Sequence, residues 1–124
     1  MADEQSSDGN KLDISSPFFI HHFDHPAMVL ISKLLNGDNY STWCRSVKLS
    51  LSAKNKLGFV NGTLKAPDES KKPDDFAFWK RCNDMIVSWI LNSVDQTIHD
   101  SIVYYTTPQA NWQDLEDRFS QGFG

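Results

Sequence analysis

The chain has 124 residues, enough for one domain with one modest core but not for two independent ones. Hydrophobic residues at 40% and charged residues at 23% are ordinary globular usage, which excludes collagen-like, wholly disordered and disulfide-scaffold classes. With 12 Lys and Arg against 16 Asp and Glu the net charge is -4, so neutralising phosphates is not the chain's main work.

Residues 1–16 are rich in Ser, Asp, Gln and Glu and bury too little apolar surface to offset the entropy of ordering them, which predicts a disordered lead followed by one domain over 17–124. Pro17 to His25 mixes aromatics with histidines. Met28-Val29-Leu30-Ile31 follows Pro26 and predicts a short extended segment, closed by a turn at Leu35-Asn36-Gly37. Asp38 or Asn39 then caps a first predicted helix, about Tyr40 to Asn55, with Tyr40, Trp43, Cys44, Val47 and Leu51 on one face and Leu49 nearly opposite. Leu57 to Gly62 contains an Asn-Gly turn signal and reads as the end of that helix, and Pro67 to Pro73 as a charged loop.

A second predicted helix runs from about Phe76 to Leu91, entered through Asp74 and Asp75, whose carboxylates suit its N-terminus as caps and dipole partners. Its apolar side chains, among them Phe78, Trp79, Met85, Trp89 and Ile90, fill more than half the circumference, so it is predicted to be buried from more than one side. A short third helix enters near Asp95 and places Val94, Ile98, Ile102 and Tyr105 on one stripe. Thr107-Pro108 starts a fourth, with a hydroxyl cap before a first-turn proline and Trp112, Leu115 and Phe119 as its apolar stripe; Gly122 and Gly124 follow its end. The expected core is Trp43, Val47, Leu51, Trp79, Ile86, Trp89, Ile90, Ile98, Ile102, Trp112, Leu115 and Phe119.

The residues argue against catalysis. His21, His22, Asp24 and His25 are the densest polar group, but their spacing is not a helical metal-binding pattern and no cysteine pair stands near to complete a tetrahedral site. Cys44 and Cys82 match no metal or redox spacing and read as small core side chains in a reduced compartment. No nucleophile elbow or phosphate loop is present, and Asp74-Asp75 and Glu116-Asp117 are explained by capping and solvation. No metal, cofactor or small-molecule substrate is therefore expected. No apolar run approaches the roughly 20 residues of a membrane span, and Met1 to Asn10 lacks the marks of a secretion signal, so the expected location is cytoplasmic, with the nucleus as the alternative.

Two binding readings remain. Lys48, Lys54 and Lys56, near Trp43 and Phe59, could form a platform for single-stranded nucleic acid. Against it, the lysines further on, Lys71 and Lys72, are offset by Asp68, Glu69, Asp74 and Asp75. Four Trp, three Tyr and eight Phe favour a protein-interaction module instead, with surplus apolar surface on the second helix and Phe78, Met85 and Leu49 as candidate contacts.

Leu35-Asn36-Gly37-Asp38-Asn39-Tyr40-Ser41-Thr42-Trp43, Leu51 to Gly62, Trp79 with Cys82-Asn83-Asp84-Met85, and Ser88-Trp89-Ile90-Leu91-Asn92-Ser93 together resemble the N-terminal region of Gag polyproteins from plant Copia-type LTR retrotransposons. The likeness also takes in His25-Pro26, Met28 to Ser32, Tyr104-Tyr105-Thr106, Trp112, Leu115 and Arg118 to Gln121, roughly residues 17 to 121 in register. The chain departs from the pattern at Ala27 and Asn61, and nothing in it resembles the zinc knuckle, protease, integrase or reverse transcriptase of such elements. The resemblance implies a mainly α, capsid-like, non-enzymatic domain that associates with itself or with full-length Gag, with RNA involved only indirectly.

Overall fold

Among residues 12–120, which the computed structural model describes, five helices follow one another: α1 (Tyr40–Ala53), α2 (Gly58–Asn61), α3 (Pro73–Leu91), α4 (Gln96–Ile102) and α5 (Pro108–Phe119). The fold is mainly helical, as expected, with one more helix than the four predicted. The extra one is α2, a single turn where a turn signal had been read. Asn55 takes the left-handed conformation at φ 61°, and the Lys56 N–H bonds the Leu51 carbonyl at 2.8 Å while the Asn55 N–H bonds that of Ser52 at 3.0 Å. This double closure stops α1 two residues before its predicted end. The chain re-enters helix at once, and Gly62, at φ 83°, ends α2.

Local signals placed the remaining helix starts. Asp95 Oδ1 accepts from the Ile98 N–H at 3.0 Å, and Thr107 Oγ1 from that of Ala110 at 3.2 Å with Pro108 next in the first turn. At α1 and α3 the expected caps do other work. Asn39 Oδ1 accepts from the Asn36 N–H and its amide donates to the Leu34 carbonyl, closing the turn before α1. Pro73 opens α3, leaving Asp74 and Asp75 in its first turn to face the helix dipole. Helix α4 ends at Ile102, short of Tyr105, so Tyr104 is exposed in the following loop.

The core gathers side chains from all five helices and from Leu35 and Val94, which meet as an isolated parallel bridge. Of the expected core, Trp79 and Phe119 are half-buried against its edge and the rest are buried. Leu35, Phe59, Val60, Met85 and Val94 join it as well. Much of the aromatic content is spent inside. Trp43 stacks on Trp112 with centroids 5.4 Å apart, Tyr40 stacks on Phe119 at 6.3 Å, and the Trp43 indole N–H donates to the Ser93 carbonyl at 2.8 Å. This aromatic group ties α1 to α5, while α5 also packs on α2 and α3.

The segment before α1 departs from expectation. No strand forms among the described residues. Residues 13 to 28 are a succession of tight turns closed by i to i+3 hydrogen bonds, such as Asp24 N–H to the His21 carbonyl at 2.9 Å and Met28 N–H to that of His25 at 3.0 Å. With no neighbouring strand to pair with, its carbonyls take donors from helix side chains instead. Residues 1–11 of the predicted lead, and Gly122 and Gly124, lie outside the described residues.

Candidate functional site

The turns of residues 13–31 form a strap laid over α3 and the α1–α2 junction, with Phe18, Ile20, Met28, Leu30 and Ile31 packed against the core. The helices hold it mostly by its main chain. Cys82 Sγ–H donates to the Phe18 carbonyl at 3.1 Å, Lys56 Nζ to that of Phe19 at 2.6 Å, and Trp89 Nε1 to that of His25 at 2.7 Å. Asn92 Nδ2 reaches the Pro26 carbonyl at 3.2 Å and Asn55 Nδ2 that of Ser15 at 3.0 Å. One ion pair joins them: Lys54 Nζ lies 2.9 Å from Asp24 Oδ1, whose side chain is nearly buried, and 5.6 Å from the centroid of the Trp89 ring.

This covering overturns the expectation of surplus apolar surface on the second predicted helix. No large hydrophobic of α3 is among the exposed ones, and Met85 is 4% exposed, a core residue and not a contact for another molecule. Counting only helical neighbours missed the strap. Phe78 is half-buried, lining a shallow groove with Leu12, Phe18, Phe19, Ile20 and Arg81, whose guanidinium carbon lies 5.8 Å from the ring centroid. Leu49 is 55% exposed on the outer face of α1, beside Cys44, Lys48 and Leu57, as the helical projection required.

The lysine platform is taken apart by the same geometry. Lys56 is 1% exposed with its ammonium on a backbone carbonyl, and Lys54 is committed to Asp24, so neither is free to meet a phosphate. Lys48 alone of the three stays exposed. Burial pulls the Lys56 ammonium below its ordinary value, against the opposing influence of Cys82 and Asp24. The Cys82 thiol is pushed up to about 11, first by its burial, with Lys56 and Arg81 working the other way, so it is an inert neutral donor. A signal for Lys56 did exist. In a helix ending of this type the second residue past the cap turns back over the last turn, and here that residue is Lys56, following the left-handed Asn55.

The histidines His21, His22 and His25 stand exposed on the strap, and among the described residues no three His, Cys, Asp or Glu side chains gather as a metal site. The polar cluster best tied together is at the other end: Asp114 accepts from the Tyr105 hydroxyl at 2.6 Å and from Arg118 Nε at 2.8 Å, and Arg118 Nη2 reaches Ser101 Oγ at 2.7 Å. Burial works to raise the Asp114 pKa, yet the two donors hold it below the usual carboxylate range. That cluster fastens the α4–α5 loop to α5. Among the described residues no helix is long and apolar enough to cross a membrane.

Residues 21–68, from the middle of the strap through α1 and α2, match the family described as Gag-polypeptide of LTR copia-type, the family that the sequence resembles. No curated protein and no solved structure matches the chain.

Proposed function

We propose that the chain is a non-enzymatic Gag N-terminal domain that associates with copies of itself or with full-length Gag, in a manner related to capsid assembly, in the cytoplasm or nucleus. The match of residues 21–68 to copia-type Gag carries this reading, because Gag polypeptides are in general structural proteins. RNA enters only through the assembly, since Lys54 and Lys56 serve the fold. Leu49 supports a contact on α1 and Phe78 one at the edge of the strap; Met85 has no part in either.

Light scattering and sedimentation at concentrations on the order of tens of micromolar test the reading, because association of identical chains follows mass action. Leu49→Asp should weaken association about tenfold or more, the equivalent of about 1.4 kcal/mol, without altering the fold of the monomer. A wild-type chain that stays monomeric, both alone and with full-length Gag, would remove self-association as its function.

A further inference from the structure

The strap is held in the way a groove holds a peptide. Donors on α3, at its C-terminal cap and on the α1–α2 junction read its carbonyls at Ser15, Phe18, Phe19, His25 and Pro26, and Phe18, Ile20 and Met28 supply the apolar anchors. Every one of these contacts is between the strap and the helical body, and none depends on which copy of the chain supplies the strap. The join between them is suited to a change of path. Leu35 is fully buried and fastened on both sides, its N–H to the Ser93 carbonyl and its carbonyl to the Asp95 N–H, each at 2.9 Å. Ser32 and Lys33 are exposed, while the Leu34 carbonyl is held by the Asn39 amide at 3.0 Å, so a change of path would fall at Ser32 and Lys33 while Leu35 stays in the core.

We infer that the surface beneath the strap is a site for a second copy of this chain, entered by reciprocal exchange, with residues 13–31 of each copy seated on the helices of the other. This rests on the self-association proposed above and names its mode. The occupant is committed by the groove itself: its donors and apolar seats already fit this one segment, and the Asp24–Lys54 pair adds a matched charge at a fixed position. Exchange replaces each contact with its equal, so the oligomer needs no new complementary surface.

The charge pair supplies the test. Asp24→Lys sets two ammonium groups against each other in the first variant, and Lys54→Asp sets two carboxylates together in the second, so each strap is repelled from its own body. In an exchanged heterodimer the lysine introduced at 24 meets the aspartate introduced at 54, and the native Asp24 of the second chain meets the native Lys54 of the first. Native mass spectrometry of the two variants mixed should show heterodimer at concentrations where each alone shows at least tenfold less dimer. A second measurement needs no variant. A carbodiimide joins Asp24 to Lys54 in an equal mixture of nitrogen-14 and nitrogen-15 wild-type chains, and about half of the joined peptides from the isolated dimer should then carry both isotopes.

Mixed-isotope product in the dimer, or the preferred heterodimer, supports exchange. A wild-type dimer whose joined peptides are all of one isotope, with no preference between the two variants, overturns it while self-association stands. A wild-type chain monomeric throughout, with no heterodimer from the mixture, overturns both.

Discussion

Trp89→Phe isolates the strongest single link between α3 and the strap. The indole is fully buried and its Nε1–H donates to the His25 carbonyl at 2.7 Å, with the Lys54 ammonium over the ring. Phenylalanine keeps an aromatic ring but loses the donor and part of the volume. Truncating a packed side chain by a few atoms costs about 1–2 kcal/mol where the site collapses only in part. Depriving the carbonyl of its partner costs about 1–2 kcal/mol, toward the lower end because His25 is exposed and water can reach it once the strap loosens. The sum is about 2–4 kcal/mol, read by urea unfolding followed by circular dichroism. The loss should not be evenly spread. Hydrogen exchange at the Asp24 and Met28 amides, whose turn hydrogen bonds lie in the strap, should accelerate more than at the amides of α5. A change below about 1 kcal/mol, or uniform acceleration across both regions, would refute the assignment of the indole as a clamp.

Two further outcomes follow from the buried polar groups and the turns. The Cys82 thiol is neutral in both states below its unfolded value of 9.0 and ionised in both above the folded value of about 11, so its contribution is fully present below pH 9 and lost as pH rises through 11. The loss is on the order of 3 kcal/mol, and Cys82→Ala should remove that part of the alkaline slope in urea midpoints taken from pH 8.5 to 11.5. Lys56, whose pKa is lowered, acts in the opposite sense as pH rises toward the ordinary lysine value, so the comparison is made between wild type and variant and not read from either curve alone. Gly62→Ala should destabilise by about 1–2 kcal/mol in thermal unfolding, because φ is 83° there and a Cβ would lie 2.5 Å from Gln109 Nε2. The Gln109 side chain can move aside, so the backbone conformation is the larger part; an unchanged midpoint would contradict it.

What could be read from the residues was local. The Asp95 cap, the Thr107-Pro108 start and the stripes of α1 and α5 are each written within a turn or two of chain, and each is where it was expected. On the second predicted helix, Cys82, Met85, Ile86, Trp89 and Ile90 of the wide apolar arc are buried, while Phe76, Phe78, Trp79, Val87 and Leu91 are half-buried. What covers it was not legible. A main-chain carbonyl is the same at every residue, so acceptors at Phe18, His25 and Pro26 leave no mark in the sequence, and their donors at Cys82, Trp89 and Asn92 lie 64 or more positions away. Lys56 shows the same difficulty from the donor side. Its residue type argues for solvent, and only the helix ending at Asn55 turns it inward.

That division between local and distant signals has an energetic counterpart. The helical body is joined by aromatic contacts from α1 to α5 in which no strap residue takes part, and by Leu35 between Ser93 and Asp95. The strap has no regular secondary structure, and each side-chain donor to its carbonyls contributes only about 1 kcal/mol net, more where the donor is the Lys56 ammonium. Opening the strap therefore breaks a few such bonds and uncovers a handful of apolar side chains, whereas opening the body breaks the whole core. The first event lies below global unfolding on the free-energy scale, so α3 is uncovered more often than the protein unfolds. On this accounting α3 is hidden while the strap is seated and is uncovered only in a state that the helices themselves survive.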